Sequence, residues 1–433
     1  MIFSLSAKGQ SDTIRIMAYN VLYYGDRPAC QGGHNIYHNY LKTIVAYCNP
    51  DILGLEKVAA IPMFTGDNSG TAPKGFADSI LKFSLDSAYV NRYNYCGFSN
   101  NSGADNISLL FYNKNKFGFS GIVASYSNVT DFNTYKLFYK TSKLLSGDTI
   151  FLYVVLNHTQ SGNSATVRNG QIHGEMSQLS GLFTSLPNMV NMGDFNTHNS
   201  NEGCYQTLVA PSDPAFAFSD PPFHPDALYT YPADWDNNPS DYAANLTTST
   251  RISASLPNSC GTGGGGKSWY DHLFISPSLV NGSRRIKYIA NSYHTVANDG
   301  NRTGISVNDL PANTSATTSV IQAIYQMSNK YPIIASFEID TLSTTNVENI
   351  GSNYSFTICY PIAQQILRIK LNEFPKDQLI RIVCTDMLGH IVTEQTQLSL
   401  NDIVQVPFNA SSGLYILNLY CNNSIVGKML FTQ

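Results

Sequence analysis

The run Val190-Asn191-Met192-Gly193-Asp194-Phe195-Asn196-Thr197 decides how this chain is read. It begins as an apolar-leaning strand and ends in Gly-Asp-Phe-Asn, which delivers a carboxylate and a carboxamide to a loop. Successive strand residues point to opposite faces, so Asp194 and Asn196 are predicted to share one face. An anionic acceptor beside a neutral amide suits holding an attacking water while donating a hydrogen bond to a phosphoryl oxygen. What these residues can do depends on the rest of the chain.

Working outward, Ile14–Asn20 alternates and reads as an opening strand. Tyr37–Tyr47 carries helical spacing through Tyr40, Leu41, Ile44 and Val45 and is followed by Pro50. Asp51-Ile52-Leu53-Gly54-Leu55 is a short apolar run of the kind that forms a buried strand. Further strands are predicted at Ile107–Tyr112, Thr149–Leu156, Met189–Met192, Tyr270–Ile275 and Tyr331–Phe337, and helices around Val167–Leu182 and Ser319–Tyr325. Strands dominate, which predicts packed sheets with helices outside. Residues 200–268 are rich in Pro, Asp, Asn, Ser and Gly and read as irregular surface material edging a site. The closing Gly261-Thr262-Gly263-Gly264-Gly265-Gly266 lacks the strand-to-helix context of a phosphate cradle and reads as a flexible loop.

At 433 residues two domains are expected, and the composition, 43% hydrophobic but only 13% charged, suits a β-rich globular chain. The net charge is −4 and no Lys/Arg-rich stripe is present, which argues against tight non-specific nucleic-acid binding. No stretch approaches the roughly 18 consecutive apolar residues of a membrane helix, so no transmembrane segment is expected. Met1–Gln10 reads as the tail of a secretory signal, with Ala7 and Gly9 in small-residue positions, and residues 1–11 are assigned to it. Cys30, Cys48, Cys96, Cys204 and Cys260 fall in the first part and Cys359, Cys384 and Cys421 in the last, so neither group can pair completely. None has CxxC spacing, which makes a zinc site unexpected. Cys204 and Cys260 bracket the loop-rich insertion and are candidates to pair; free buried thiols fit equally well.

In order along the chain, Tyr19-Asn20, Pro50–Leu55, Leu156-Asn157-His158, Gly193–Asn196 and Tyr270-Asp271-His272-Leu273-Phe274 resemble the endonuclease/exonuclease/phosphatase superfamily of metal-dependent phosphoesterases. An Asn-Asp-Gly turn at Asn298-Asp299-Gly300 and a closing strand at Ser328–Ile333 extend the likeness, which covers residues 12–338. The resemblance implies a two-sheet, DNase I-like α/β sandwich with the site at one edge of both sheets. It further implies a first-strand Asn and a Glu in "Leu-Gln-Glu-Val" that help hold Mg²⁺ or Mn²⁺, and a mid-chain His on the phosphate. An Asp and an Asn then position water, and a final "Ser-Asp-His-x-Pro" supplies an Asp and a His, the His oriented by a separate Asp. Mapped here, Asn20, His158, Asp194, Asn196 and Asp271 are retained.

Two of these motifs are broken. The chain reads Leu55-Glu56-Lys57-Val58, with Lys57 at the metal-binding Glu position, and Ser328-Asn329-Lys330-Tyr331-Pro332, with Asn329 and Lys330 replacing the Asp-His pair. Glu56 is adjacent but is expected to face the other way unless a bulge intervenes. Mg²⁺ prefers hard, usually anionic oxygen ligands. A unit cation about 4 Å from an ammonium is repelled by roughly 4 kcal/mol at an effective dielectric of 20, which is about a thousandfold in affinity. Lys in place of His also removes a transition-state contact. The site therefore reads as degenerate, a pseudoenzyme in which Lys57 and Lys330 pair with Asp194 and Asp271. A sharper form has these ammoniums replace the metal's charge, so that phosphate or nucleotide-like anions bind without cleavage. The alternative is an active, divergent nuclease or phosphodiesterase, using Mg²⁺ or Mn²⁺ and acting through Asp194 and His158 on phosphate esters, nucleotides or nucleic acid. Arg251, in Thr248-Ser249-Thr250-Arg251, is a weaker substrate-binding candidate. His198, His272 and the remaining histidines read as packing or surface residues.

After Phe337 the composition shifts. Thr341–Ser355 is polar, with a linker assigned to 339–352, and short alternating strands follow at Ile366–Leu371, Leu379–Thr385, Ile391–Gln395, Ile403–Val406 and Leu414–Tyr420. That spacing predicts a small all-β, Ig-like sandwich over 353–433. Tyr360-Pro361, Asp386–Val392, Ser412–Leu417 and Gly427–Leu430 resemble the type A sorting domain of the type IX secretion system of Bacteroidetes, with Ile362-Ala363 departing from the usual "Asn-Pro". The resemblance implies the type IX machinery as a partner and a secreted or cell-surface location. An Ig-like binding module is the alternative.

Overall fold

Strand β1 (Ser11–Tyr24) turns Ile14, Ile16 and Ala18 to one face and Met17, Tyr19 and Val21 to the other, all of them buried. A strand buried on both faces lies at the centre of a sheet with a layer on either side. Along the chain follow β2 (Ile52–Ala59), β3 (Tyr93–Tyr95), β4 (Asn106–Asn113), β5 (Phe117–Asn128), β6 (Thr130–Tyr139) and β7 (Ile150–His158). Then come β8 (Met189–Asp194), β9 (Asp271–Ile275), β10 (Ile286–Tyr288), β11 (His294–Thr295) and β12 (Ile333–Asp340). A computed structural model describes residues 11–24, 34–60, 72–141, 149–254, 261–341, 355–359, 366–372, 376–386, 388–399, 403–410, 414–421 and 424–432.

One sheet has the order β10-β12-β1-β2-β4-β3, with β11 also on β12; the second runs β5-β6-β7-β8-β9. Most ladders are antiparallel, but β1–β2 and β7–β8 are parallel. Ile16, Ala18, Ile52 and Leu110 of the first sheet share one core with Leu152, Val154, Leu156 and Met192 of the second. At Gly54 the sheets come so close that a Cβ would lie 2.6 Å from Leu156 Cδ1 and 2.9 Å from Met192 Cε. Helices His34–Cys48 and Thr318–Met327 cover the outer face of the first sheet against Met17, Leu53 and Leu55. Helix Ala165–Leu182 packs Ile172, Met176 and Leu179 into the core that includes the second sheet. The two-sheet α/β sandwich expected from the sequence is the architecture found.

The hairpin β5–β6 is not among the predicted strands. Its first strand is mostly half-exposed and rich in Gly and Ser, so its apolar alternation is weak. Residues 200–268 also differ from expectation: Phe223, Trp235, Leu246 and Tyr205 are buried there, packed with Trp269. Aromatic packing, rather than regular backbone pairing, orders much of this segment.

The chain divides into two compact units, Met1–Lys140 with Thr149–Thr341, and Thr141–Asp148 with Leu342–Gln433. The second is all-β. Ser355–Cys359, Ile366–Asn372 and Ile403–Pro407 form one antiparallel sheet, and Ile391–Leu398, Leu379–Asp386, Leu414–Cys421 and Ser424–Thr432 form another. Leu367, Ile369, Val404 and Val406 meet Ile380, Ile382, Leu417 and Leu419 in its core. The assigned signal remnant up to Gln10, the segment 342–354, Cys30, Cys260 and Tyr360–Ala363 lie outside the described residues. Cys48, Cys96, Cys204, Cys384 and Cys421 are free, buried thiols. Among the described residues no helix is long and apolar enough to cross a membrane.

Gly193 sits at φ +132°, where an added Cβ would lie 2.0 Å from the Asn157 carbonyl oxygen of the neighbouring parallel strand. Neither backbone can yield without breaking the β7–β8 ladder. Gly193→Ala is expected to lower unfolding free energy by more than about 2 kcal/mol, measured by urea denaturation against wild type.

Candidate functional site

Strand register assembles the site. At the end of the second sheet, His158 pairs with Asp194 across the parallel ladder, and Asp194 with Asp271 across the antiparallel one. The three residues therefore stand abreast in one row. At the facing edge of the first sheet, Asn20 pairs with Glu56 across β1–β2. Paired residues share a face, so the first row meets a second made of Asn20 and Glu56.

A β-bulge shapes the second row. Leu55 pairs with Leu109 and Val58 with Ile107, so Glu56 and Lys57 together oppose Ser108, and Lys57 takes a left-handed φ of +61°. The bulge that the sequence required for Glu56 and Lys57 both to reach the site is therefore present. Glu56 follows the Gly54 face between the sheets, close enough to feel the charges of Asp271 and Asp194, and is fully buried. Lys57, lifted by the extra residue, lines the cavity beside it, with its ammonium 4.5 Å from the Tyr23 ring centroid.

The Lys330 ammonium lies 2.9 Å from Asp194 Oδ2, 3.4 Å from Asp271 Oδ2 and 4.7 Å from the Tyr270 ring centroid. Asn20 Nδ2 donates to the same Asp194 oxygen at 2.8 Å. Of the predicted pairing of lysines with both aspartates, the Lys330 part is seen here; Lys57 lines the same cavity. Ser328 Oγ donates to the Asn20 carbonyl at 2.7 Å and accepts from Lys330 N at 3.1 Å, which locks the broken motif to β1. Asn329 Nδ2 donates to Thr262 Oγ1 at 3.0 Å.

Asn196 does not share a strand face with Asp194. Strand β8 ends at Asp194, and Asn196 is left-handed at φ +48° with its Nδ2 donating to the Thr159 carbonyl at 3.0 Å. Its backbone N–H donates to Asp194 Oδ1 at 3.2 Å, so it braces the carboxylate while lining the cavity. Arg251 is no substrate contact. Its guanidinium is fully buried and donates to the carbonyls of Tyr325, at 2.8 Å, and Gln326, at 3.2 Å, near the end of helix Thr318–Met327. Its neighbours Thr248 and Thr250 bond the Asn329 and Ser328 carbonyls and so buttress the Lys330 loop.

The charges settle according to burial. Burial and the nearby Asp271 and Asp194 raise the pKa of Glu56 well above the usual carboxylate range. Burial and the Asp194 charge push Asp271 up to about 7 against the opposing pull of Lys330. Burial also works against Asp194, but Lys330 and His158 outweigh it and lower its pKa. Burial pushes His158 down to about 4, aided by Lys57 and Lys330 and opposed by Asp194, so the ring is neutral at pH 7. Its Nδ1 lies 3.2 Å from Asn106 Oδ1.

Asn20, Lys57, His158, Asp194, Asn196, Asn329 and Lys330 line a cavity of about 330 Å³, together with Ser161, Asn163, Thr262 and Lys267. Lys267 escaped sequence reasoning because it follows the glycine run, which read as a loose loop. Instead Gly265 N donates to Arg251 O at 2.8 Å and Gly266 N to Arg302 O at 3.0 Å, which fixes the approach to Lys267. His198 also lines the cavity and bonds Asp236 at 2.8 Å, while His272 is a fully buried packing residue bonded to Asp220 at 3.0 Å. A larger cavity of about 570 Å³, beside helix Ala165–Leu182, has no lysine or arginine in its wall.

The site was tested for Mg²⁺ or Mn²⁺. Among the described residues no group of three or more His, Cys, Asp or Glu is placed to hold a metal ion. The carboxylate oxygens best placed to share one, on Asp194 and Asp271, both face the Lys330 ammonium. With Lys330 in place, the residues present do not fit such an ion.

No family model matches the chain, and no curated protein matches it. Among solved structures it is similar to the human Nocturnin catalytic domain with bound sulfate, at 14% identity and a TM-score of 0.44, covering 76% of this chain and 97% of that one. It is similar to an endonuclease/exonuclease/phosphatase family protein from Bacteroides thetaiotaomicron at 15% identity and a TM-score of 0.42, covering 77% and 97%. A third is TDP2 from D. rerio complexed with single-strand DNA product, at 12% identity and a TM-score of 0.43, covering 75% and 98%. These likenesses are distant, and the site's chemistry rests on the chain's own geometry.

Behind the site, Glu175 on helix Ala165–Leu182 is buried and accepts from Asn191 Nδ2 at 2.6 Å, and Asn191 Oδ1 accepts from Asn157 Nδ2. Burial pushes the Glu175 carboxyl from 4.5 to about 7. A raised folded pKa means stability present at low pH and lost as pH rises through 4.5 to 7. Glu175→Gln is expected to remove this loss, gaining on the order of 3 kcal/mol over wild type between pH 4.5 and pH 8. Urea unfolding at the two pH values checks it.

Proposed function

We propose that the first domain is of the endonuclease/exonuclease/phosphatase type and binds phosphate or phosphate-ester anions with little or no hydrolysis. The observation that carries this reading is the Lys330 ammonium lodged between Asp194 and Asp271 in a cavity that Lys57 and Lys267 also line. Three lysines in one concave wall favour an anion, and an ammonium about 4 Å from a phosphate oxygen contributes roughly 4 kcal/mol at a dielectric of 20 before desolvation is subtracted. The cavity volume matches the lower end of small-molecule sites, which favours a phosphomonoester or nucleotide over a duplex.

A second reading, an active divergent phosphodiesterase, is favoured by one observation. His158 is neutral in the cavity wall beside Asp194, so an acceptor for a proton remains. That reading needs Mg²⁺ or Mn²⁺ to supply charge at the phosphoryl group, which the residues present do not fit while Lys330 pairs with Asp194 and Asp271.

Calorimetry with inorganic phosphate and with a nucleoside monophosphate is expected to show one site. Lys57→Ala and Lys267→Ala should each weaken it about tenfold, a change of roughly 1.4 kcal/mol. Absence of binding sinks the anion reading. Turnover of bis-(p-nitrophenyl) phosphate with Mg²⁺ or Mn²⁺ that vanishes in Asp194→Ala would establish the second reading instead.

For the C-terminal unit the reading is a type IX sorting domain that directs the protein to the cell surface or medium. It is supported by the Tyr360-Pro361, Asp386–Val392 and Ser412–Leu417 motifs and by the all-β arrangement of seven strands among the described residues of that unit. Fusing residues 353–433 to a periplasmic reporter in a Bacteroidetes host is expected to move the reporter outside the cell. Retention in the periplasm would leave the binding-module reading.

A further inference from the structure

Two aspartates at the site edge share one ammonium, and the buried carboxyl group of Glu56 stands near enough to feel their charge. Asp194 and Asp271 both bind Lys330 Nζ. Glu56 is fully buried, and neither of its oxygens has a hydrogen-bond partner. Two such orphaned oxygens near two buried aspartates mark a place that can take a further polar or cationic partner. Asn20 adds an amide whose nitrogen is already spent on Asp194 and whose oxygen accepts from Leu22 N at 3.0 Å. Hard oxygen donors in this mix suit a divalent cation, which binds through one or two carboxylates and keeps its remaining waters. The side chain that denies it entry is Lys330.

We infer that Lys330 is a tethered cation that fills this carboxylate site and keeps divalent metal out, so that neutralising Lys330 alone turns it into a metal-binding site. The ammonium is delivered by the loop before β12, where Ser328 holds it to β1 and the Thr248–Thr250 segment buttresses it from behind. A point charge fixed this way carries no dissociation constant. The site stays neutralised at any metal concentration, and the cavity above it keeps its excess of lysines for an anion. The inference stands on the charge arrangement and does not need the cavity to bind phosphate.

The experiment uses chelator-treated full-length protein titrated with Mn²⁺, with free Mn²⁺ followed by electron paramagnetic resonance and stability by thermal denaturation. Wild type is expected to show no saturable site. Lys330→Ala and Lys330→Gln are expected to bind one Mn²⁺ at least about a hundredfold more tightly than wild type, with a metal-dependent rise in Tm. Adding Asp194→Asn to either should abolish both effects. The inference is overturned if wild type binds one Mn²⁺ in a manner lost with Asp194→Asn, a result that needs no Lys330 variant to fold. It is equally overturned if a folded Lys330→Gln binds Mn²⁺ no better than wild type. Phosphate calorimetry reads a different ligand, so failure of the anion proposal and failure of this one are separable.

Discussion

A buried ammonium between two buried aspartates governs the end of this sandwich where the sheets open. Removing charges from water costs several kcal/mol per ion, and such a cluster persists only when geometry and extra hydrogen bonds offset that cost. Here Asp194 is served by Lys330, by Asn20 Nδ2 and by the Asn196 backbone, so it stays ionised. Asp271 has a longer contact with the same ammonium, and its pKa rises to about 7. Glu56, whose oxygens have no hydrogen-bond partner, has its pKa raised well above the usual carboxylate range by burial. Burial works to raise all three carboxyl groups, and the ammonium offsets it most at Asp194, where it stands nearest.

The scaffold around that cluster is what brings it together. The one extra residue of the bulge in β2 brings Lys57 to the site beside Glu56, whereas strict alternation would have divided them. Gly193 lets β8 pass close enough to β7 for His158, Asp194 and Asp271 to stand abreast. Ser328 ties the Lys330 loop to Asn20, and Arg251 anchors the supporting segment to a helix end. These groups act by position, and none needs to touch a ligand. The charge in the cavity wall is therefore a property of the fold as much as of the lysines themselves, which is why an anion-binding role suits a site in which a metal does not fit.

Long, strongly patterned elements were legible in the chain. Ile14–Asn20, Tyr37–Tyr47, Val167–Leu182 and the C-terminal strands lie within observed elements of the same type, because one apolar face must be buried whatever the partner. The β5–β6 hairpin was not legible. Its half-exposed first strand satisfies its backbone through β6, and backbone pairing leaves little trace in side-chain polarity. Arg251 misled for a related reason: a cation in a loop sequence looks available until the carbonyls of a helix distant in the chain close around it.

The sequence by itself determined which chemical groups exist and their order along strands: the retained Asn20, His158, Asp194, Asn196 and Asp271, and the substituted Lys57, Asn329 and Lys330. It also determined that two domains of different strand rhythm follow one another. Only the tertiary structure decided that Lys330 meets both aspartates, that Glu56 faces inward, and that Lys267 joins the cavity. Those outcomes depend on register, bulges and loop anchoring, which arise from contacts between residues far apart in the chain. Electrostatic energy falls with distance and rises as water is excluded, so a charge's role is set only when the fold fixes both.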